Sequence, residues 1–332
     1  STVTTVSLSA CGGGDDEPAP GPETKTLTRA AFVATVSDYF DWVHSSEYHD
    51  PYKSTQQTFV DVRLGVTTYA KQIETALEEA IISNAQGYFY PEQSMTREDA
   101  ADIYVKAFKI PLSATNALAG FTDAGTISAD RRSSVNAMVA AGYMGGSSAT
   151  LFAPKDVVTA GDAKAILDRI TSQLVAPPQV MCKSGTTAPR RYVRISTPTP
   201  GAKIYYTFAF DGSEPADPST AAGIEYDFTQ HGVLQFVNPL TSTTDSRLYR
   251  LKAVTKKDGL KTSAVQTFIW NIVRPNVGAF TARIAHVGTA TSPTVWKIKT
   301  RPNTSRPLCS TSKAPSAAWC LTRGNTATRR PT

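Results

Sequence analysis

A block of 62–63 residues occurs twice in this chain, and a period of that size constrains the fold more than any other feature. FVDV at 59–62 is answered by FTDA at 121–124, YFYP at 88–91 by LFAP at 151–154, and TREDAADI at 96–103 by TAGDAKAI at 159–166. A partial copy, TRAAFVATV at 28–36, precedes both and matches the start of the TREDA segment. A unit this short cannot close a core of its own, so neighbouring units must stack.

Each block follows one plan. Ala70, Ile73, Leu77, Ala80 and Ile81 recur at helical spacing, as do Val135, Met138 and Val139 in the second block. A loop with glycine and an aromatic-x-Pro step follows. Thr96 with Asp99, and Thr159 with Asp162, then stand at capping-box spacing and predict a second helix. Ile103, Ala107 and Ile110 form its apolar face in one block, and Ala163, Ile166 and Ile170 in the other. The expectation is an all-α helix–loop–helix array.

Charge excludes one class of partner. The net charge of +6 comes from six basic residues beyond residue 299 (Arg301, Arg306, Lys313, Arg323, Arg329, Arg330), which have no acid among them. The remainder carries equal numbers of each sign. The body therefore lacks the basic face a nucleic-acid binder needs, and no nucleic-acid partner is expected. The four cysteines (Cys11, Cys182, Cys309, Cys320) and four histidines form no metal-binding spacing, so neither a metal nor another cofactor is expected. No P-loop, GxSxG or GxGxxG is present, and the chain reads as non-catalytic.

Leu8-Ser9-Ala10-Cys11 followed by GGGDDEPAPGPE resembles the lipobox of bacterial lipoproteins. The small residues admit the signal peptidase, and the Cys11 thiol accepts the lipid. The glycines, acids and prolines that follow suit a flexible tether. The resemblance implies lipidation at Cys11 and a membrane attachment through that anchor.

The phenylalanine-aspartate start, the glycine loop with F-x-P and the TRED helix start together resemble S-layer homology domains over roughly 145 residues. The resemblance implies three units packed about a pseudo-threefold axis and binding of cell-wall polysaccharide, often pyruvylated, in the grooves between units. By position, the arginines that contact the acidic sugar are Arg97 in TREDA and Arg29 in TRAAF. A guanidinium in a first helical turn, beside free N–H groups, suits a carboxylate. The third position departs from the pattern: Ala160 stands where arginine is expected, and that groove should be weak or empty. The partial copy lacks an FxD half and has Ala31 in place of the capping acid.

After Ala176-Pro177-Pro178, short β-prone runs appear at 190–197, 202–210, 233–237, 247–255 and 264–273, with a hairpin turn at Lys257-Asp258-Gly259. They predict an all-β immunoglobulin-like sandwich. GAKIYYTFAFDGSEP at 201–215 resembles the C-terminal module of chitobiase and β-hexosaminidase, an accessory without catalytic residues. Asp211 and Glu214 lie in a turn and are expected to bond locally. Tyr192, Tyr205, Tyr206 and Trp270 are candidates to stack on sugars, although alternation assigns half of them to a core.

From Thr300 the chain loses its acids and all Ile, Val, Phe, Tyr and Met. This predicts a disordered basic tail at 299–332, read as a frame-shifted continuation. In a shifted frame, codons can be chosen that give a string resembling the first strands of metallo-β-lactamase-fold hydrolases. The resulting division is a lipoprotein signal remnant and tether at 1–25, partial and first full repeats at 26–110, a second full repeat at 111–174, a β-sandwich at 175–275, a short β-prone segment at 276–298 and the tail. The expected function is a multidomain cell-surface protein, outside the membrane and associated with the wall. The alternative is the truncated front end of a wall-anchored hydrolase.

Overall fold

A computed structural model describes residues 24–43, 58–181, 185–187, 190–238 and 246–274. Cys11, the other three cysteines, the tether, the 276–298 segment and the basic tail lie outside the described residues. Helices dominate up to Thr171, and two mainly antiparallel β-sheets follow.

The longer helices of the described residues are α1 (Arg29–Phe40), α2 (Ala70–Glu78), α3 (Arg97–Phe108), α4 (Arg132–Ala140) and α5 (Ala160–Thr171). The start of α1, α3 and α5 is set by a threonine in extended backbone. The Thr28, Thr96 and Thr159 hydroxyls accept the N–H three residues on, from Ala31, Asp99 and Asp162. Only Thr159 completes the reciprocal box, because Asp162 returns a bond to the Thr159 N–H at 3.0 Å. Thr159→Ala is therefore expected to cost about 1 kcal/mol, measured as a lower midpoint in urea unfolding.

Three short segments ahead of these helices close on one another. Leu27 N–H donates to Val158 O, Val158 N–H to Met95 O, and Met95 N–H to Leu27 O, each at 2.9 Å. The bridges Thr26–Thr159, Thr28–Ser94 and Thr96–Val157 complete this ring. The partial copy thus fills the third place of a three-way arrangement, and α1, α3 and α5 leave the ring as equivalents. Their inner faces share one core. Phe32 meets Tyr104 edge-on at 5.2 Å, Phe40 meets Phe108 at 5.0 Å, and the buried Tyr104 hydroxyl donates to Ala163 O at 2.8 Å.

Helix ends differ from the sequence pattern in two places. Ala80 and Ile81 lie past the end of α2, and Ala80 is left-handed at φ 57°. Ile110 lies past α3, where Lys109 takes the left-handed cap at φ 53°. Both isoleucines are still buried, because the turned chain folds them back on the core.

The strands are β1 (Gln179–Met181), β2 (Gly185–Thr187), β3 (Arg190–Ser196), β4 (Lys203–Ala209), β5 (Ile224–Tyr226), β6 (Leu234–Val237), β7 (Ser246–Lys256) and β8 (Gln266–Val273). One sheet has the order β1-β3-β6 and the other β2-β8-β7-β4-β5, with only the β2–β8 pairing parallel. Val193, Ile195 and Phe236 of the first sheet share a core with Tyr206, Leu251 and Trp270 of the second. Tyr249 ties the sheets, donating its hydroxyl to Val237 O at 2.8 Å.

Ile204, Tyr205 and Tyr206 are all buried, so strict alternation fails along β4. Tyr205 packs close to Gly223, ahead of β5, and its hydroxyl donates to Glu225 Oε2 at 3.3 Å, so a neighbouring segment covers the outer face. Three of the four aromatics considered as sugar contacts, Tyr205, Tyr206 and Trp270, are therefore core residues.

The proline linker docks rather than swings. Lys261 N–H donates to Gln173 O at 2.8 Å, Val175 N–H donates to Lys261 O at 3.0 Å, and Ala176 N–H donates to the Thr199 hydroxyl at 2.9 Å. Among the described residues no helix is long and apolar enough to cross a membrane.

Candidate functional site

The acid of each FxD motif builds the loop beneath the site. Asp61 accepts the N–H groups of Phe89 (2.9 Å) and Tyr90 (2.7 Å). Asp123 accepts those of Phe152 (2.9 Å) and Ala153 (2.7 Å) in the same way. This clamp holds Tyr90 and Ala153 in left-handed backbone, at φ 60° and 57°. Desolvation opposes ionisation of Asp123, but the two N–H groups hold its carboxyl below the usual range. Phe89 and Phe152 are buried within the clamped loops.

Each expected arginine sits on one of these aromatic rings. The Arg97 guanidinium lies 5.0 Å from the Phe152 centroid and the Arg29 guanidinium 5.1 Å from that of Phe89. Nε donates to the carbonyl of the same phenylalanine in both cases, at 3.0 Å. The two then diverge.

Arg97 Nη2 donates to Gly145 O at 2.6 Å, and no carboxylate among the described residues forms an ion pair with it. Two of its five donors are used internally. Burial pulls its pKa down against Asp162, Asp156 and Asp123, yet a guanidinium stays charged at any physiological pH. It lines an open groove of about 410 Å³ with the 142–146 loop, Asp162 and Arg169. Arg169, which the motif did not single out, is itself held by a 2.6 Å bond to Tyr143 O. Its position ten residues after the capping threonine matches Lys106, and that was the available signal.

The loop glycines are not equivalent. A Cβ on Gly146 would meet Ser148 O at 2.4 Å, Leu151 O at 2.5 Å and Phe121 at 2.6 Å, so no side chain fits there. A Cβ on Gly145 meets nothing within 4 Å, which leaves that side of the groove free.

Arg29 differs in being paired with a carboxylate. Its Nη1 donates to Asp99 Oδ2 at 3.1 Å, and Asp99 Oδ1 accepts Arg131 Nε at 2.8 Å. Arg131 also approaches Asp102 at 3.5 Å. Burial alone would raise the Asp99 carboxyl, but the Arg131 bond and the charges of Arg29 and Arg131 hold it below the usual range. At the third position Ala160 carries no charge, and its N–H donates to Lys25 O at 2.9 Å.

The depressed Asp99 value has a consequence for acid stability. A carboxylate with a lowered folded pKa stabilises the fold above its unfolded value, near 3.9, and this is lost as pH falls through the folded value. Asp99→Asn should lower the melting temperature near neutrality and flatten the decline as pH falls below about 4, the unfolded value. A melting series that falls in parallel with the wild type would contradict this.

Comparison with known proteins bears on part of the helical region. The S-layer homology domain model matches residues 59–101 and 120–163. These two segments are S-layer homology repeats. Such repeats attach proteins to the cell wall at the cell surface, and they typically bind secondary cell-wall polymers. The α1 unit lies outside both matched segments, although the hydrogen-bonded ring places it with them. The chain is also similar to Exoglucanase XynX of Acetivibrio thermocellus, at 29% identity over 147 residues. That stretch is 43% of this chain and 13% of the exoglucanase.

In the β-sheet region, Asp211 Oδ1 accepts the Ser213 N–H at 2.9 Å, and Glu214 bridges Arg250 and Lys252. Both carboxylates are engaged as a turn and a surface ion network. No group of metal-ligating side chains stands together among the described residues.

Proposed function

We propose that residues 26–174 form a wall anchor that holds an acidic group of a cell-wall polysaccharide, such as a pyruvylated sugar, in the groove beside Arg97. The observation that carries this reading is the state of the arginine. Arg97 is fixed over Phe152 at the edge of an open groove and forms no ion pair among the described residues, whereas Arg29 is paired with Asp99. One principal site per chain follows. A carboxylate in the groove would take the remaining donors of Arg97, beside the start of α5.

Binding of the full chain to isolated wall polysaccharide, before and after removal of its acidic substituents, tests the reading. Binding should depend on those substituents and on Arg97. Equal binding to both preparations contradicts it.

The rest of the chain fits an accessory and a tether. We read the two-sheet region as an immunoglobulin-like module of the chitobiase C-terminal kind, without catalysis of its own. Lipidation at Cys11 rests on residues 8–11 and would add a membrane attachment to the wall contact. A second reading, the anchoring segment of a surface hydrolase, draws on the likeness to an exoglucanase far longer than the aligned stretch.

A further inference from the structure

The first full repeat carries an aromatic ledge that the second lacks. Tyr88 and Tyr90 are 47% and 43% exposed, and their rings stack with centroids 5.7 Å apart and planes 19° apart. Val60, 58% exposed, lies beside Gly87, the residue before Tyr88. At the equivalent positions the second repeat has Leu151 and Ala153.

The fold does not require these tyrosines. Asp61 and Asp123 impose the same left-handed turn at Tyr90 and Ala153, and alanine satisfies it. A bulky residue at positive φ is uncommon and calls for another cause. Two large rings left partly in water side by side on a clamped loop supply one, as an amphipathic aromatic surface suited to contact with a partner. The ledge also flanks Phe89, whose ring lies under Arg29. With Arg29 held by Asp99, this repeat offers ring faces rather than a free charge.

We propose that Tyr88 and Tyr90 are a second carbohydrate contact, stacking on the apolar face of a neutral sugar ring. The inference rests on the reading of the helical region as a wall-glycan binder and adds a subsite that reads sugar faces, not acidic groups. A polymer that reaches both places gains avidity from their connection. Stacking of this type is set by contact area and ring electronics, so salt screens it far less than it screens an ion pair.

The test uses the full chain and purified wall polysaccharide as the probe, titrated at low and high salt. Tyr88→Leu with Tyr90→Ala converts the loop to the second repeat's own sequence, which the same clamp already accommodates. The double variant should bind about tenfold more weakly, by a similar factor at both salt concentrations. The reverse pair, Leu151→Tyr with Ala153→Tyr, should bind more tightly than the wild type. Unchanged affinity in the first variant overturns the ledge, and if Arg97→Ala still weakens binding, the groove reading survives. Weakening by the tyrosine changes alone keeps the ledge and removes the groove. A wild-type chain that ignores the polysaccharide removes both.

Discussion

Phe152→Ala is expected to destabilise the helical region by about 3–5 kcal/mol. The ring is fully buried and packs edge-on against Phe121 at 5.8 Å. Its surroundings cannot collapse into the gap, because Asp123 fixes the backbone on either side of the Phe152–Ala153 peptide. The same ring supports the Arg97 guanidinium, so the groove should lose its shape along with the stability. Denaturant unfolding followed by helical circular dichroism checks the first effect. A loss below about 1 kcal/mol would show that the loop repacks freely.

Arg97 and Arg29 should separate binding from folding. Arg97→Ala removes a charge-assisted contact to ligand, a class of bond that contributes about 1.5–3 kcal/mol, so wall binding should fall tenfold or more. Its internal bonds go to two loop carbonyls, and the melting temperature should change modestly. Arg29→Ala should do the reverse. It leaves Asp99 with Arg131 alone and removes a link between α1 and α3. Stability should fall while affinity for the polysaccharide stays within about twofold, a difference near the 0.4 kcal/mol that RT sets for such a factor.

Much of the fold was legible because its signals are local. The capping threonines fix the starts of α1, α3 and α5, and the burial of Ala163, Ile166 and Ile170 follows from helical spacing alone. The strands β3, β4, β6, β7 and β8 fall within one or two residues of the β-prone runs. Helix ends were less legible, since Ala80 and Lys109 adopt left-handed caps without a glycine to announce them.

The site was half legible for a different reason. The motif located both arginines but carried no information on their neighbours. Arg29 meets a carboxylate 70 residues away, and that carboxylate meets Arg131 a further 32 residues on. Only the closed ring of three units brings them together. Asp99, read as a capping acid, keeps its contact with Thr96 and also bridges two arginines. The acids of FxD proved to be backbone clamps, a role visible only once Phe89 and Phe152 are seen folded over them.

The most direct test of the account is a calorimetric titration of wild type and Arg97→Ala with the same purified wall polysaccharide, each variant first shown to be folded. The account predicts saturable binding with one principal acidic site per chain, and a tenfold or greater loss in the variant. Indistinguishable titrations of the two folded proteins would contradict it.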